Sequence, residues 1–147
     1  MNDNNGKVGN GEENNGKAGN GTSKFDWVTE RSSCSLPKVF NTLRVQVEED
    51  VKTRNALRPS YSPYEFSVKD DNGEFAILLK AQELQQSVVF HLAEHAILVR
   101  SDKSNPMFEV TATLSDEGEC RLKVNREERD FWQVRRMALE ELMFRDL

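Results

Sequence analysis

The stretch Tyr64-Glu65-Phe66-Ser67-Val68-Lys69-Asp70-Asp71-Asn72-Gly73-Glu74-Phe75-Ala76-Ile77-Leu78-Leu79 decides the fold. Tyr64, Phe66 and Val68 alternate with polar residues, and Phe75, Ile77 and Leu79 resume the alternation after Asn72-Gly73. Side chains of a strand alternate between faces, so each run presents one apolar face. Asn-Gly between two such runs signals a tight hairpin. A two-residue loop pairs Asp71 with Glu74 and sets Val68 opposite Ile77 and Phe66 opposite Leu79. The apolar faces then coincide, so turn chemistry and register agree.

The pattern repeats downstream. Ser87 to Leu92 and Ala96 to Arg100 predict a second hairpin, whose loop sets Leu92 opposite Ile97 and Phe90 opposite Val99. Met107 to Leu114 and Cys120 to Val124 predict a third. There Asp116-Glu117-Gly118 fits a three-residue loop with Gly118 in the left-handed position. Arg121 and Lys123 point outward, and Cys120 points inward.

A helix is predicted on either side of these strands. Leu36, Val39, Phe40, Leu43, Val47 and Val51 recur at helical spacing over 36–57, with Ser35 as cap and Pro37 in the first turn. Arg58-Pro59 stops that helix. A second helix is read from Asn125 as cap, with Glu128 as capping-box partner. Its apolar rows are Phe131, Val134, Ala138, Leu142 and Trp132, Leu139, Met143. The expected fold class is α+β. It is a two-layer sandwich, an antiparallel meander of about six strands covered on one face by an N-terminal and a C-terminal helix.

The first residues read differently. Asn4-Asn5-Gly6-Lys7-Val8-Gly9-Asn10-Gly11 returns as Asn14-Asn15-Gly16-Lys17-Ala18-Gly19-Asn20-Gly21. Glycine has much backbone entropy to lose and little here can be buried, so residues 1–23 are expected to be a disordered Asn/Gly-rich tail. Asn15-Gly16-Lys17 superficially suggests a phosphate loop, yet it lacks the hydroxyl, the strand and the helix that such a loop needs. The expected division is a tail over 1–23 and a single α+β domain over 24–147.

Charge narrows the function classes. The 147-residue chain carries a formal −5. Between Tyr61 and Val124 there are 11 acidic and 6 basic residues. That opposes binding to nucleic acid, which needs a basic face to release counterions. No run is long and apolar enough for a membrane span, and no membrane partner is expected. Without an apolar leader a cytoplasmic location is expected, with Cys34 and Cys120 as reduced, buried thiols.

The search for chemistry is brief. His91 and His95 are four apart, but they fall on strand and turn rather than one helix. Acidic clusters at 70–74 and 116–119 lack the spacing of a calcium loop. No nucleophile is marked by its neighbours. No catalytic residue, metal site or cofactor is assigned, and an enzyme is the lesser expectation. Arg126, Arg129, Arg135 and Arg136 gather near Trp132, interspersed with acids. Phe25 and Trp27 lead into the domain as a docking peptide would. The expected function is a non-catalytic protein-interaction or regulatory module. Phe25, Trp27, Arg135 and Arg136 are the candidate partner-binding residues. The partner is a protein or a second copy of the chain, as a homodimer. The alternative is a small-ligand binder with an apolar cavity between helices and sheet, lined by Phe40, Phe66, Phe75, Phe90, Phe108 and Phe131.

Overall fold

The computed structural model describes residues 24–102 and 105–145; the Asn/Gly repeat lies outside the described residues. Among the described residues, three helices accompany a seven-stranded antiparallel sheet, and the two longer helices with the sheet form an α+β sandwich. The helices are α1 (Trp27–Ser33), α2 (Leu36–Ala56) and α3 (Phe131–Met143). The strands are β1 (Glu65–Asp71), β2 (Glu74–Ala81), β3 (Leu84–Leu92), β4 (Ile97–Ser101), β5 (Asn105–Leu114), β6 (Cys120–Val124) and β7 (Glu127–Arg129). Each strand neighbours the next in sequence, so the sheet is a meander. The chain divides into two compact units. Among the described residues, one holds 24–33 with Leu114–Glu119, and the other holds 34–102, 105–113 and 120–145.

In the larger unit the register follows the alternation. Phe66 pairs with Leu79, Val68 with Ile77 and Asp71 with Glu74. Phe90 pairs with Val99 and Leu92 with Ile97. The meander implies that β2 pairs with β3, but the sequence does not mark the turn between them. The hairpin turns at Gln82-Glu83, with Ala81 opposite Leu84 and Gln82 at φ 53°. No Gly, Pro or Asn marks that turn, so local chemistry does not announce it.

The seventh strand is a correction. Asn125 does not cap a helix, and Glu128 is not its capping-box partner. Asn125 and Arg126, at φ 55° and 70°, make the turn that folds β7 onto β6. Val124 pairs with Glu127 and Leu122 with Arg129. Helix α3 starts later, at Phe131, where the Gln133 Oε1 accepts the Asp130 N–H at 2.7 Å. At the start of α2, Ser35 has the extended backbone of a cap residue, but its hydroxyl makes no capping bond. Its carbonyl accepts from the Val39 N–H at 2.9 Å.

One face of the sheet and both long helices share a core. Val39, Leu43, Val47 and Val51 from α2 meet Phe66, Ile77, Phe90 and Val99 from the sheet, with Val134, Ala138 and Leu142 from α3. Phe75 stacks on Phe90 at 4.7 Å and meets Phe40 at 5.1 Å. Such ring pairs add about 0.5–1.5 kcal/mol beyond the area they bury. Arg54 is 5% exposed, the buried charge of this core. Its Nε donates to the Met143 carbonyl at 2.7 Å, and its guanidinium lies over the rings of Phe66 and Phe144. A cation at the carboxyl end of α3 offsets the partial charge there.

The strand β1 forms one edge of the sheet, and an edge invites unwanted pairing. Asn55 covers part of it. Its Nδ2 donates to the Phe66 carbonyl at 2.8 Å, and its Oδ1 accepts the Phe66 N–H at 3.1 Å. One side-chain amide thus replaces a missing neighbour strand at that residue.

The cysteines are a second correction. Cys34 and Cys120 are not free thiols; they form a disulfide, with Cα atoms 5.4 Å apart across 86 positions of sequence. Cys34 directly precedes the cap of α2, and Cys120 opens β6. Only tertiary folding brings them within reach.

Candidate interaction surfaces

The exposed side of α3 carries the first surface. Trp132 was expected in the core row with Leu139 and Met143. Those two are buried, but Trp132 is 52% exposed. The cause is Arg135, one turn on. Its Nε meets Asp50 Oδ2 at 2.6 Å, and its Nη1 donates to Gln46 Oε1 at 2.7 Å. Beside Trp132, then, α3 meets α2 through polar contacts, and the indole is left on the rim.

Trp132 lines a groove of about 400 Å³ between α2 and α3, together with Leu57, Arg136 and Phe144. On its other side it lines a smaller hollow with Met137 and Arg129. Leu57, Met137 and Phe144 are all exposed. Scattered exposed apolar residues are ordinary, whereas several along one groove mark a contact surface.

The four candidate residues separate. Arg135 is partly buried and ties α3 to α2. Arg136 is exposed, and its Nε meets Glu140 Oε1 at 2.9 Å. Such a pair on one helix face holds the guanidinium only weakly. Arg126 and Arg129, read as part of the same helix, lie instead in the β6–β7 turn and in β7.

Phe25 and Trp27 belong to the smaller unit. Helix α1 begins after Asp26, whose Oδ1 accepts the Thr29 N–H at 3.2 Å and whose Oδ2 accepts the Thr29 hydroxyl at 2.7 Å. These bonds favour the carboxylate and lower the Asp26 pKa below that of an unstructured aspartate. The Phe25 ring lies on Gly118. A Cβ added there would stand 2.6 Å from Phe25 Cζ. Gly118 also has φ +83°, so both backbone and space call for glycine at this position. Trp27 is 63% exposed.

The outer face of the sheet is the other surface. Ala76 pairs with Val89 across β2 and β3, and His91 with Leu98 across β3 and β4. All four are partly exposed. Glu74 gathers two neighbours here. Its Oε2 lies 3.2 Å from Arg100 Nη2 and 3.1 Å from His91 Nδ1. The Arg100 contact is a hydrogen bond, whereas His91 Nδ1 is close without being aligned for one. His95 is exposed in the β3–β4 turn and does not join His91. Among the described residues, no group of three or more His, Cys, Asp or Glu is placed to hold a metal ion.

The sequence points to Arg135 and Arg136 but puts Trp132 in the core row. It misses Leu57 and Phe144, whose exposure depends on where the two helices end. No family model, no curated protein and no solved structure matches this chain.

Proposed function

We propose that the chain is a protein-interaction module that acts through the exposed side of α3, on a protein partner or a second copy of itself. The observation that carries this is Trp132, half exposed beside Arg136 in a groove with Leu57 and Phe144. Trp and Arg dominate the energetics of many interfaces, because each contributes large contact area at a modest entropic cost. Phe25 and Trp27 serve as a second contact in the same reading, with Trp27 the more available side chain. Residues 1–23 are its tether.

The test uses the full chain and a Trp132→Glu variant. Light scattering after size exclusion reads self-association, and capture from the source lysate reads a partner. A dimer, or a captured protein, that Trp132→Glu abolishes without lowering the melting temperature supports the proposal. A strict monomer, with the same proteins recovered by both forms, ends it.

Location is part of the proposal. No helix among the described residues is long and apolar enough to cross a membrane. A cytoplasmic protein would be kept reduced by cellular thiols, whereas the Cys34–Cys120 bridge suits an oxidising compartment. Alkylation of thiols in intact cells decides between them: two modified cysteines support the cytoplasm, and none supports the oxidising compartment.

A further inference from the structure

We propose that the outer face of the sheet holds a second binding site, for a short acidic peptide segment of a protein partner. A groove of about 740 Å³ crosses β4, β5 and the β6–β7 turn. Its chemistry comes from Arg100, Lys123, Arg126, Glu109, Leu98 and Met107.

The charge is opposite to that of the chain. Three cations and one carboxylate line the groove, with Glu128 opposite Lys123 across β6 and β7, in a protein of formal charge −5. Arg100 already holds Glu74 at 3.2 Å. Lys123 and Arg126 have no ion-pair partner among the described residues. Cations grouped in a concave site focus potential on an incoming anion.

Two backbone irregularities aim side chains at the same groove. Arg126 is held at φ 70°, a conformation that glycine adopts freely and a side chain resists. The turn keeps a long cation where glycine would cost less, and strain of this kind gathers at functional sites. The register between β4 and β5 shifts at Val99/Arg100, where Phe108 and Pro106 are the successive partners. Met107 is the residue passed over, and it is 38% exposed. Bulges re-aim side chains in this way, and methionine adapts to varied apolar partners.

The occupant follows from these features. The volume lies in the range of small-ligand pockets, so the occupant is a short segment rather than a folded surface. Carboxylates meet Lys123 and Arg126, and an apolar side chain between them meets Leu98 and Met107. A long polyanion is disfavoured by Glu109 within the groove and by the overall negative charge.

The probe is a fluorescein-labelled hexapeptide of alternating Glu and Leu, titrated with the full chain at low salt. A Lys/Leu counterpart and a hexamer of deoxythymidine are titrated in parallel. Saturable binding of the Glu/Leu peptide is expected. Lys123→Gln and Arg126→Gly should each weaken it about three- to fivefold, with melting temperatures at or above that of the unmodified chain. Salt should weaken it further. His95→Ala, exposed in the β3–β4 turn and outside the groove lining, should bind as the unmodified chain does. No saturable binding, equal affinity in both groove variants, or tighter binding of the oligonucleotide would each overturn the proposal. The groove shares no residue with the α3 surface, so failure here leaves the Trp132 experiment to be judged alone.

Discussion

Two hairpins of the same sheet, β1–β2 and β6–β7, are both closed by two residues of which the first is asparagine. In the first, Asn72 keeps a negative φ and only Gly73 is left-handed, at φ +74°. In the second, Asn125 and Arg126 are both left-handed. The first hairpin is visible in sequence because glycine announces it. The second carries arginine where glycine is cheapest, and its three-residue strand Glu127–Arg129 shows no apolar alternation. Local preference therefore reports a turn only where the turn is unstrained. A strained turn is maintained by what surrounds it: here Leu122 and Val124 are buried in the core beneath it.

The largest expected effect on this comparison comes from reducing the Cys34–Cys120 bridge, which closes a loop of 86 positions at the start of β6. Chain-entropy reasoning gives a loss on the order of 4 kcal/mol for a loop of that length. Urea unfolding with and without reductant measures it. Hydrogen exchange should quicken more in β6 and β7 than in β1 and β2. Equal acceleration in both hairpins would remove the distinction between a self-sufficient turn and a supported one.

Substitutions at the two turns should then move stability in opposite directions. Gly73→Val places a branched side chain at φ +74° and should cost about 1–2 kcal/mol. Arg126→Gly relieves a similar strain, but glycine gains freedom in the unfolded chain, which returns about 0.4–1 kcal/mol. The net expectation is a gain of up to about 1 kcal/mol. Paired thermal melts test both, and a loss on Arg126→Gly would mean that the arginine side chain holds the turn.

The smallest effect lies outside the sheet, in α1. The Asp26 carboxyl has a lowered pKa because it accepts two bonds from Thr29. A depressed folded-state pKa stabilises above the unfolded value, and that contribution is lost as pH falls through the folded one. Protection of the Thr29 amide, taken relative to intrinsic exchange at each pH, should therefore fall on acidification in the native chain. It should stay level in Asp26→Asn, whose amide oxygen still accepts but does not titrate. An acid response unchanged by that substitution would remove Asp26 as the cap of α1.

The four apolar residues set opposite one another in the β1–β2 hairpin are legible in the sequence, and so is the α2 stripe. Period and turn residue lie within a few positions of each other, and both depend on short-range sterics. The candidate surface was legible only in part. Arg135 and Arg136 are neighbours in sequence, yet one is taken up by Asp50 and Gln46 and the other is left on the surface. No spacing rule separates them, because the difference lies in where α2 passes.

By itself, then, the sequence determined the α+β class, the apolar face of the six strands that alternate and the sites of the glycine-bearing turns. These follow from periodicity and from backbone sterics acting over a few residues. The tertiary structure alone decided the Cys34–Cys120 bridge, the β6–β7 hairpin, the exposure of Trp132 and the gathering of Arg100, Lys123 and Arg126 around one groove. Each joins residues whose distance is set by packing rather than by their separation along the chain.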